Sequence, residues 1–141
     1  MDVELKKKLR NCDSEESLKA LLREIRAGDL LPKEVEFLNH VMDKINPTAE
    51  STIAFLANHT IDPMARYTRV QCALNGAFIS TYIGEYDQHF QEVLDSGSGL
   101  HQKGPDIIFL SLLLSKIAPQ VAHQFTSLDL AEKEQEIDRI V

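Results

Sequence analysis

The sequence has little cysteine, no long apolar run and no excess of basic residues. Its two cysteines, Cys12 and Cys72, lie far apart in a chain without a signal sequence, which favours free thiols over a disulfide. The longest apolar run, residues 107–114, is far shorter than the roughly 20 residues of a membrane-spanning helix. The N-terminal residues lack the apolar core of a signal peptide, so a cytoplasmic protein without membrane contact is expected.

Acidic residues outnumber basic ones by 22 to 15, which gives a formal net charge of −7. Such a charge repels phosphate backbones, so nucleic acid is not an expected partner. The 5 histidines show no spacing typical of a zinc site, and no metal or cofactor is expected. A length of 141 residues suits one domain with a substantial core.

An uncharged segment at residues 53–57 predicts a strand buried on both faces, as in a parallel sheet. Asp62 is predicted to cap the following helix, which has Pro63 in its first turn. The polar residues between them are Asn58, His59 and Thr60. Because open α/β sheets bind ligands at the carboxyl ends of their strands, a polar site is predicted at these residues.

The rest of the chain continues the alternation of strand and helix. The predicted elements are a helix ending at Gly76, a strand at 77–83, a helix at 87–94, a flexible loop at 95–104 and a strand at 106–113. The residues of the 87–94 helix expected to face the core are Phe90, Val93 and Leu94. This order of elements with short connections predicts a parallel sheet.

Helices are predicted before and after the sheet. Asp13 and Glu16 form a capping-box pattern for a helix that ends at Gly28, and Pro32 begins a helix that Asn46 closes. These two helices are expected to form an antiparallel hairpin, which divides the chain into a helical segment, 1–48, and an α/β domain, 49–141. The terminal helices are predicted at 119–125 and after a cap at Thr126 or Ser127, with an inner side formed by Leu130, Ile137, Ile140 and Val141.

The predicted fold class is therefore a three-layer α/β fold, flavodoxin-like or SGNH-like, with an incomplete parallel sheet of about three strands. Doubly wound sheets usually have five or six strands. The apolar third strand would lie at an edge, and native proteins rarely leave such an edge bare. We expect a truncated domain, or an edge that a partner chain or the terminal helices cover.

Four ordered segments resemble the N-terminal domain of FkbH-like proteins. They read FLANHTIDP (55–63), YIGEYDQHFQEVLD (82–95), SGL (98–100) and PDIIFL (105–110). The comparable family segments are approximately a strand ending Leu-Ser-Asn-Phe-Thr, a Gly-x-Tyr/Phe-x-Gln-Tyr-x-Gln-Glu-Ile-Leu-Asp-Pro block, Ser-Gly-Leu and Pro-Asp-Val-Val. The likeness covers about residues 50–141.

This resemblance implies an SGNH-hydrolase-like domain that a haloacid-dehalogenase-like phosphatase domain follows. Such proteins load a glyceryl unit from a phosphorylated glycerate onto an acyl carrier protein in polyketide and related pathways. The 141 residues contain no counterpart of the phosphatase motifs, so the magnesium chemistry is not carried over. One interpretation is therefore that the chain is the N-terminal piece of a longer FkbH-like enzyme.

Three features separate the chain from an active SGNH hydrolase. Ala57 stands where the relatives usually have serine, so the nucleophilic oxygen is missing. Residues 111–115 replace the Gly-x-Asn-Asp block that the resemblance implies after the third strand, and a late Asp-x-x-His motif is absent. A noncatalytic scaffold or docking domain is expected, and a degenerate hydrolase or acyltransferase with His59 as base and Thr60 as nucleophile is the alternative.

The candidate ligand-binding residues are Asn58, His59, Gln88, Asp95 and Ser98. Asn58 and His59 could polarise a ligand carbonyl, or instead cap the helix and satisfy the loop backbone. The glycine-rich loop at 95–99 could cradle an anion or serve as a connector. Gln88 could line the site or face water.

An acyl carrier protein or a biosynthetic enzyme is the expected partner, together with a homo-oligomer through the third-strand edge. Carrier proteins are commonly acidic, so a chain of net charge −7 gains nothing from electrostatic steering. Docking would use apolar contacts, through the helix that carries Val35, Leu38 and Met42 or through the open strand edge.

Overall fold

The computed structural model describes residues 1–26, 28, 30–124 and 126–140. The helices in these ranges are α1 (Val3–Arg10), α2 (Glu15–Leu22), α3 (Pro32–Ile45), α4 (Asp62–Leu74), α5 (His89–Leu94), α6 (Gly99–Lys103), α7 (Leu114–Ile117), α8 (Pro119–Gln124) and α9 (Leu130–Ile140). The strands are β1 (Ser51–Ala57), β2 (Ile79–Ile83) and β3 (Ile107–Ser111).

The three strands form a parallel sheet in the order β2, β1, β3, which confirms the predicted α/β class. Residues 54–57 of the central strand β1 are buried, as its uncharged sequence predicts. Alternate side chains point to opposite faces. Phe55 packs with Ala65 of α4, and Leu56 packs on the other face with Leu100 of α6. Helices therefore cover both faces of β1.

A separate core lies among the N-terminal helices and α4. Leu18 and Leu22 of α2 share it with Leu38 of α3, Val70 of α4 and Phe78 before β2. The residues Val35, Leu38 and Met42 are all buried here. The expectation that α3 docks a partner through these three side chains is therefore wrong, because they already pack in the core. The division of the chain near residue 48 stays a prediction.

Three predicted helix caps are corrected by one to three positions. The observed capping residues are Ser14, Ile61 and Asp129, where Asp13, Asp62 and Thr126 or Ser127 were predicted. At α2 and α9, neighbouring polar side chains compete for the unpaired N–H groups of the helix start, whereas Ile61 precedes α4 without a side-chain capping hydrogen bond. Asp129 caps α9 through a reciprocal pair of hydrogen bonds. Its carboxylate accepts from Glu132 N at 2.8 Å, and the Glu132 carboxylate accepts from Asp129 N at 2.9 Å.

Other boundaries also differ from the prediction. Helix α2 ends at Leu22 and not at Gly28, and the loop predicted at 95–104 contains α6. Leu130 and Ile137 are exposed although they were expected inside, because α9 packs on α8 and not over the sheet core. The predicted positions Phe125 and Val141 and the side chain of Ile140 lie outside the described residues.

No helix in the described ranges is long and apolar enough to cross a membrane. Cys12 is buried and Cys72 is half-buried, and both are free thiols, as predicted.

Glu34 of α3 lies in a buried ionic cluster. Its Oε1 accepts hydrogen bonds from the Met1 ammonium and from Lys6 Nζ, each at 2.9 Å, and its Oε2 accepts from Leu31 N at 3.2 Å. The hydrogen bond from Lys6, followed by those from Met1 and Leu31, lowers the pKa of Glu34 from 4.5 to about 2. The ionised carboxylate thus joins α1 to the start of α3.

The folded protein is expected to lose stability as pH falls from about 4.5 to about 2, because Glu34 is protonated more readily in the unfolded chain. Glu34→Gln should flatten the dependence of the unfolding free energy on pH across this window, measured by urea denaturation at a series of pH values. Glu36→Gln, on the exposed side of the same helix, is the matched control. An unchanged pH profile in Glu34→Gln would contradict the assignment.

Candidate functional site

Asn58 lies buried at the carboxyl end of β1. Its Oδ1 accepts a hydrogen bond from Leu113 N at 2.8 Å, and its Nδ2 donates to Leu113 O at 3.3 Å. The amide therefore satisfies both backbone groups of one residue in the segment after β3. This is a structural role for Asn58, and its predicted contact with a ligand stays a prediction.

His59 follows Asn58 and bridges the ends of β1 and β3. Its Nε2 lies 2.8 Å from Ser111 Oγ, and its Nδ1 lies 3.2 Å from Thr60 O. A carbonyl oxygen can only accept, so Nδ1 carries a proton, and in the neutral form of the ring Nε2 is the acceptor for the Ser111 hydroxyl. A serine hydroxyl that faces an oriented imidazole is the geometry of an activated nucleophile.

The hydroxyl that contacts the His59 ring is not that of Thr60, which was predicted. Thr60 contributes its carbonyl oxygen to the ring, whereas the hydroxyl on Nε2 belongs to Ser111. Ser111 reaches this position because the parallel register pairs it with Ala57 at the last rung of the sheet. A cavity of about 150 Å³ is lined by His59 and by residues that include Ala57, Thr60, Gly84 and Tyr86, whereas Ser111 is not part of its lining.

The main departure from the expected structure is the orientation of α5. Glu92 is 7% exposed, and its Oε1 and Oε2 accept from Tyr82 Oη at 2.7 Å and from Leu100 N at 2.9 Å. Its backbone carbonyl also accepts from Ser98 Oγ at 2.7 Å. The polar side of α5 thus holds the helix against β2 and α6.

Tyr82 and Gly99 complete this anchor. Burial, and then the hydrogen bond to Glu92, raises the pKa of Tyr82 to about 12, so its hydroxyl stays a proton donor at ordinary pH. A Cβ atom at Gly99 would collide with the Tyr82 hydroxyl. Glycine is therefore required where α6 begins, because the tyrosine approaches the backbone there.

The apolar side of α5 consequently faces outward. Phe90, Val93 and Leu94, spaced as one helix face, are 69%, 52% and 81% exposed, and Tyr86 before the helix is also exposed. The prediction that Phe90, Val93 and Leu94 face the core is wrong, because Glu92 and His89 occupy the inner side. We call these four residues, Tyr86, Phe90, Val93 and Leu94, the α5 surface.

The remaining candidates lie around α5 and α6. Gln88 is exposed and immediately precedes α5. Asp95 Oδ1 accepts from Gly97 N at 2.8 Å, and Ser98 caps α6 by accepting from His101 N at 3.4 Å. The side-chain oxygens of Asp95 and Ser98 thus serve their own loop. Any ligand contact of the three stays a prediction.

A polar cavity of about 350 Å³ lies between α3 and α4 and was not predicted. Its two arginines, Arg66 and Arg69, pair with Glu36 and Asp43, and Asp62 adds a third carboxylate to the lining. Among the described residues, no group of three or more His, Cys, Asp or Glu side chains is arranged to hold a metal ion.

Comparison with known proteins adds no relative. No protein-family model matches the chain, and no curated protein or solved structure matches it significantly. The likeness to FkbH-like proteins therefore stays an interpretation of the sequence.

Proposed function

We propose that the chain is a noncatalytic SGNH-like domain of the FkbH-like type that docks proteins in carrier-protein-dependent, polyketide-type biosynthesis of glyceryl units. Two observations support the proposal. Ala57 ends β1, where the related hydrolases carry serine, and it has no atom that can attack a carbonyl. The α5 surface lies beside this strand end, since Asp87 N donates to Ala57 O at 3.1 Å.

The α5 surface is the observation that carries the docking function. A soluble protein rarely exposes a contiguous group of large apolar side chains unless the group binds something. The core gains nothing from this orientation of α5, because the helix hides a carboxylate and exposes a phenylalanine. Such a local conflict between sequence pattern and structure is typical of functional surfaces.

The chemistry of the α5 surface suits an acyl carrier protein. Its side chains are uncharged, although exposed Glu85, Asp87 and Asp95 flank them, so contact with an acidic partner would depend on apolar packing and not on charge attraction. Contacts of this kind depend on aromatic and aliphatic side chains that fit into apolar grooves. Phe90 is the expected anchor because it is the largest exposed side chain of α5.

Calorimetric titration of the chain with an acyl carrier protein tests this proposal. Wild type should bind with submillimolar affinity, and Phe90→Ser and Leu94→Ser should each weaken binding about tenfold. Both side chains are exposed, so neither change should disturb the fold. Val3→Ser, at an exposed apolar position on α1, is the matched control. Absence of binding by wild type would overturn the proposal.

The contact between His59 and Ser111 favours a second candidate function, a degenerate acyl hydrolase or acyltransferase. Ser111 Oγ would attack the carbonyl carbon of an ester or thioester while His59 Nε2 takes the hydroxyl proton. The proton then passes to the departing alkoxide or thiolate, and water or an acceptor alcohol releases the acyl group from Ser111. Thr60 O would hold the imidazole in the required tautomer.

Turnover of a generic thioester separates the two functions. If the second candidate is right, Ser111→Ala and His59→Ala each reduce kcat at least a hundredfold, about the size expected for loss of a nucleophile or a general base. Thr60→Ala keeps its activity under this mechanism and loses it if Thr60 is the nucleophile. No turnover of the thioester by wild type would contradict the second candidate, and carrier binding alone then tests the docking function.

A further inference from the structure

The outer strand β3 is exposed on both faces and along one edge. Four consecutive large apolar residues, Ile107, Ile108, Phe109 and Leu110, are 40–54% exposed. The register places Ile107 and Phe109 on the same face of the sheet as Ile53 and Phe55 of β1. Ile108 and Leu110 lie on the opposite face. β3 also has only β1 as a hydrogen-bonded neighbour within the described sheet.

The helices that follow β3 leave it uncovered. Leu113 and Leu114 are also about half-exposed, and α7, α8 and α9 pack successively on one another. Within α9, Leu130 and Ile137 are exposed. The apolar surface formed by residues 107–110, 113 and 114, which we call the β3 surface, is therefore the kind of edge that pairs with another chain.

We propose that a second copy of this chain covers the β3 surface and extends the sheet across a two-fold axis. Pairing two β3 strands antiparallel about Phe109 places Ile108 opposite Leu110 and Ile107 opposite Ser111 of the second copy. Residues 107–115 contain no charged side chain, so this pairing brings no like charges together in a chain of net charge −7. A self-complementary, uncharged edge thus suits a second copy better than a charged partner.

The exposed apolar area of the β3 surface supplies somewhat more than half of what a standard dimer interface buries. A half-exposed large apolar side chain offers on the order of 80 Å². The six side chains of the β3 surface then offer about 500 Å² in each copy, against about 800 Å² per partner in a standard interface. The unpaired backbone edge and the exposed side chains of α9 supply additional area. The inference goes beyond the proposed function because it uses a surface other than the α5 surface.

Sedimentation velocity over a range of concentrations from micromolar upward tests the dimer. Wild type should sediment as a dimer, and Leu110→Lys or Ile107→Lys should raise the dissociation constant at least about a hundredfold, because each places a charge in the paired edge. Both side chains are half-exposed in the monomer, so the variants should keep the circular dichroism spectrum of wild type. Val3→Lys, at an exposed apolar position elsewhere, should stay dimeric.

Two results would overturn the inference: a wild type that is monomeric over the whole range, or a dimer that persists in both lysine variants. If the wild type is monomeric and its β3 surface binds the acyl carrier protein, the carrier and not a second copy covers this surface, and the inference is wrong. Binding of the carrier through Phe90 is measured separately, so failure of the dimer and failure of the docking function are distinguishable.

Discussion

Glu92→Ala is expected to lower the free energy of unfolding by about 3 kcal/mol, because it leaves the Tyr82 hydroxyl and the Leu100 amide without their acceptor. The hydrogen bond of the Leu100 amide is buried and that of the Tyr82 hydroxyl is partly buried, and an unsatisfied donor is costly to shield from water. The change should also free α5 to rotate, so that Phe90 and Leu94 gain access to the core. Urea denaturation followed by circular dichroism measures the first effect.

Two variants show whether this loss comes from the anchor. Glu85→Ala removes an exposed carboxylate just before α5 and should change stability little. Tyr82→Phe should cost about 1 to 2 kcal/mol alone and much less in the Glu92→Ala background, because the two side chains share one hydrogen bond. A Glu92→Ala protein as stable as wild type would contradict the orientation of α5.

Asn58→Ala is expected to cost about 2 kcal/mol of stability, since Leu113 loses the partner of both its backbone groups. The amide ties the end of β1 to the segment after β3. Its loss should therefore also loosen the contact between His59 and Ser111 at the same end of the sheet. Thermal unfolding measures the stability, and the NMR signals of the His59 ring report the contact.

The amide can be separated into its two roles. Asn58→Asp keeps an acceptor for Leu113 N but places a carboxylate against Leu113 O at a buried position, so at neutral pH it should cost at least as much stability as Asn58→Ala. Asn75→Ala, at an exposed position after α4, removes a single hydrogen bond to Gln71 O and should cost less. If Asn58→Ala and Asn75→Ala lower stability equally, the two hydrogen bonds of the buried Asn58 stabilise the fold no more than the single exposed one of Asn75.

The central strand β1 could be predicted because the sequence pattern that indicates it lies within a few neighbouring residues. Residues 53–57 are uncharged, and the polar residues after them mark the end of the strand, so both β1 and the position of Asn58 and His59 follow from a short stretch of sequence. The bare edge at β3 could also be anticipated, since only three strand patterns are present. These features depend on composition over a few neighbouring residues.

The orientation of α5 could not be predicted, because its cause is not local. A six-residue helix gives a weak periodic signal, and its apolar stripe indicated an inward face. The observed orientation of α5 is the reverse, because the Glu92 carboxylate bonds to Tyr82 on β2 and to the backbone of Leu100 on α6. The sequence of the helix does not reveal these two partners. Sequence reasoning missed Ser111 for a similar reason, since only the register of β3 on β1 brings it to His59.

Hydroxyl-radical footprinting of Phe90 tests most directly the claim that α5 presents its apolar side to a partner. Phe90 should be oxidised far faster than buried Phe55 in the free protein, and it should become protected when an acyl carrier protein is added at saturation. Oxidation of Phe90 as slow as that of Phe55 in the free protein, or no protection by the carrier, would contradict the account.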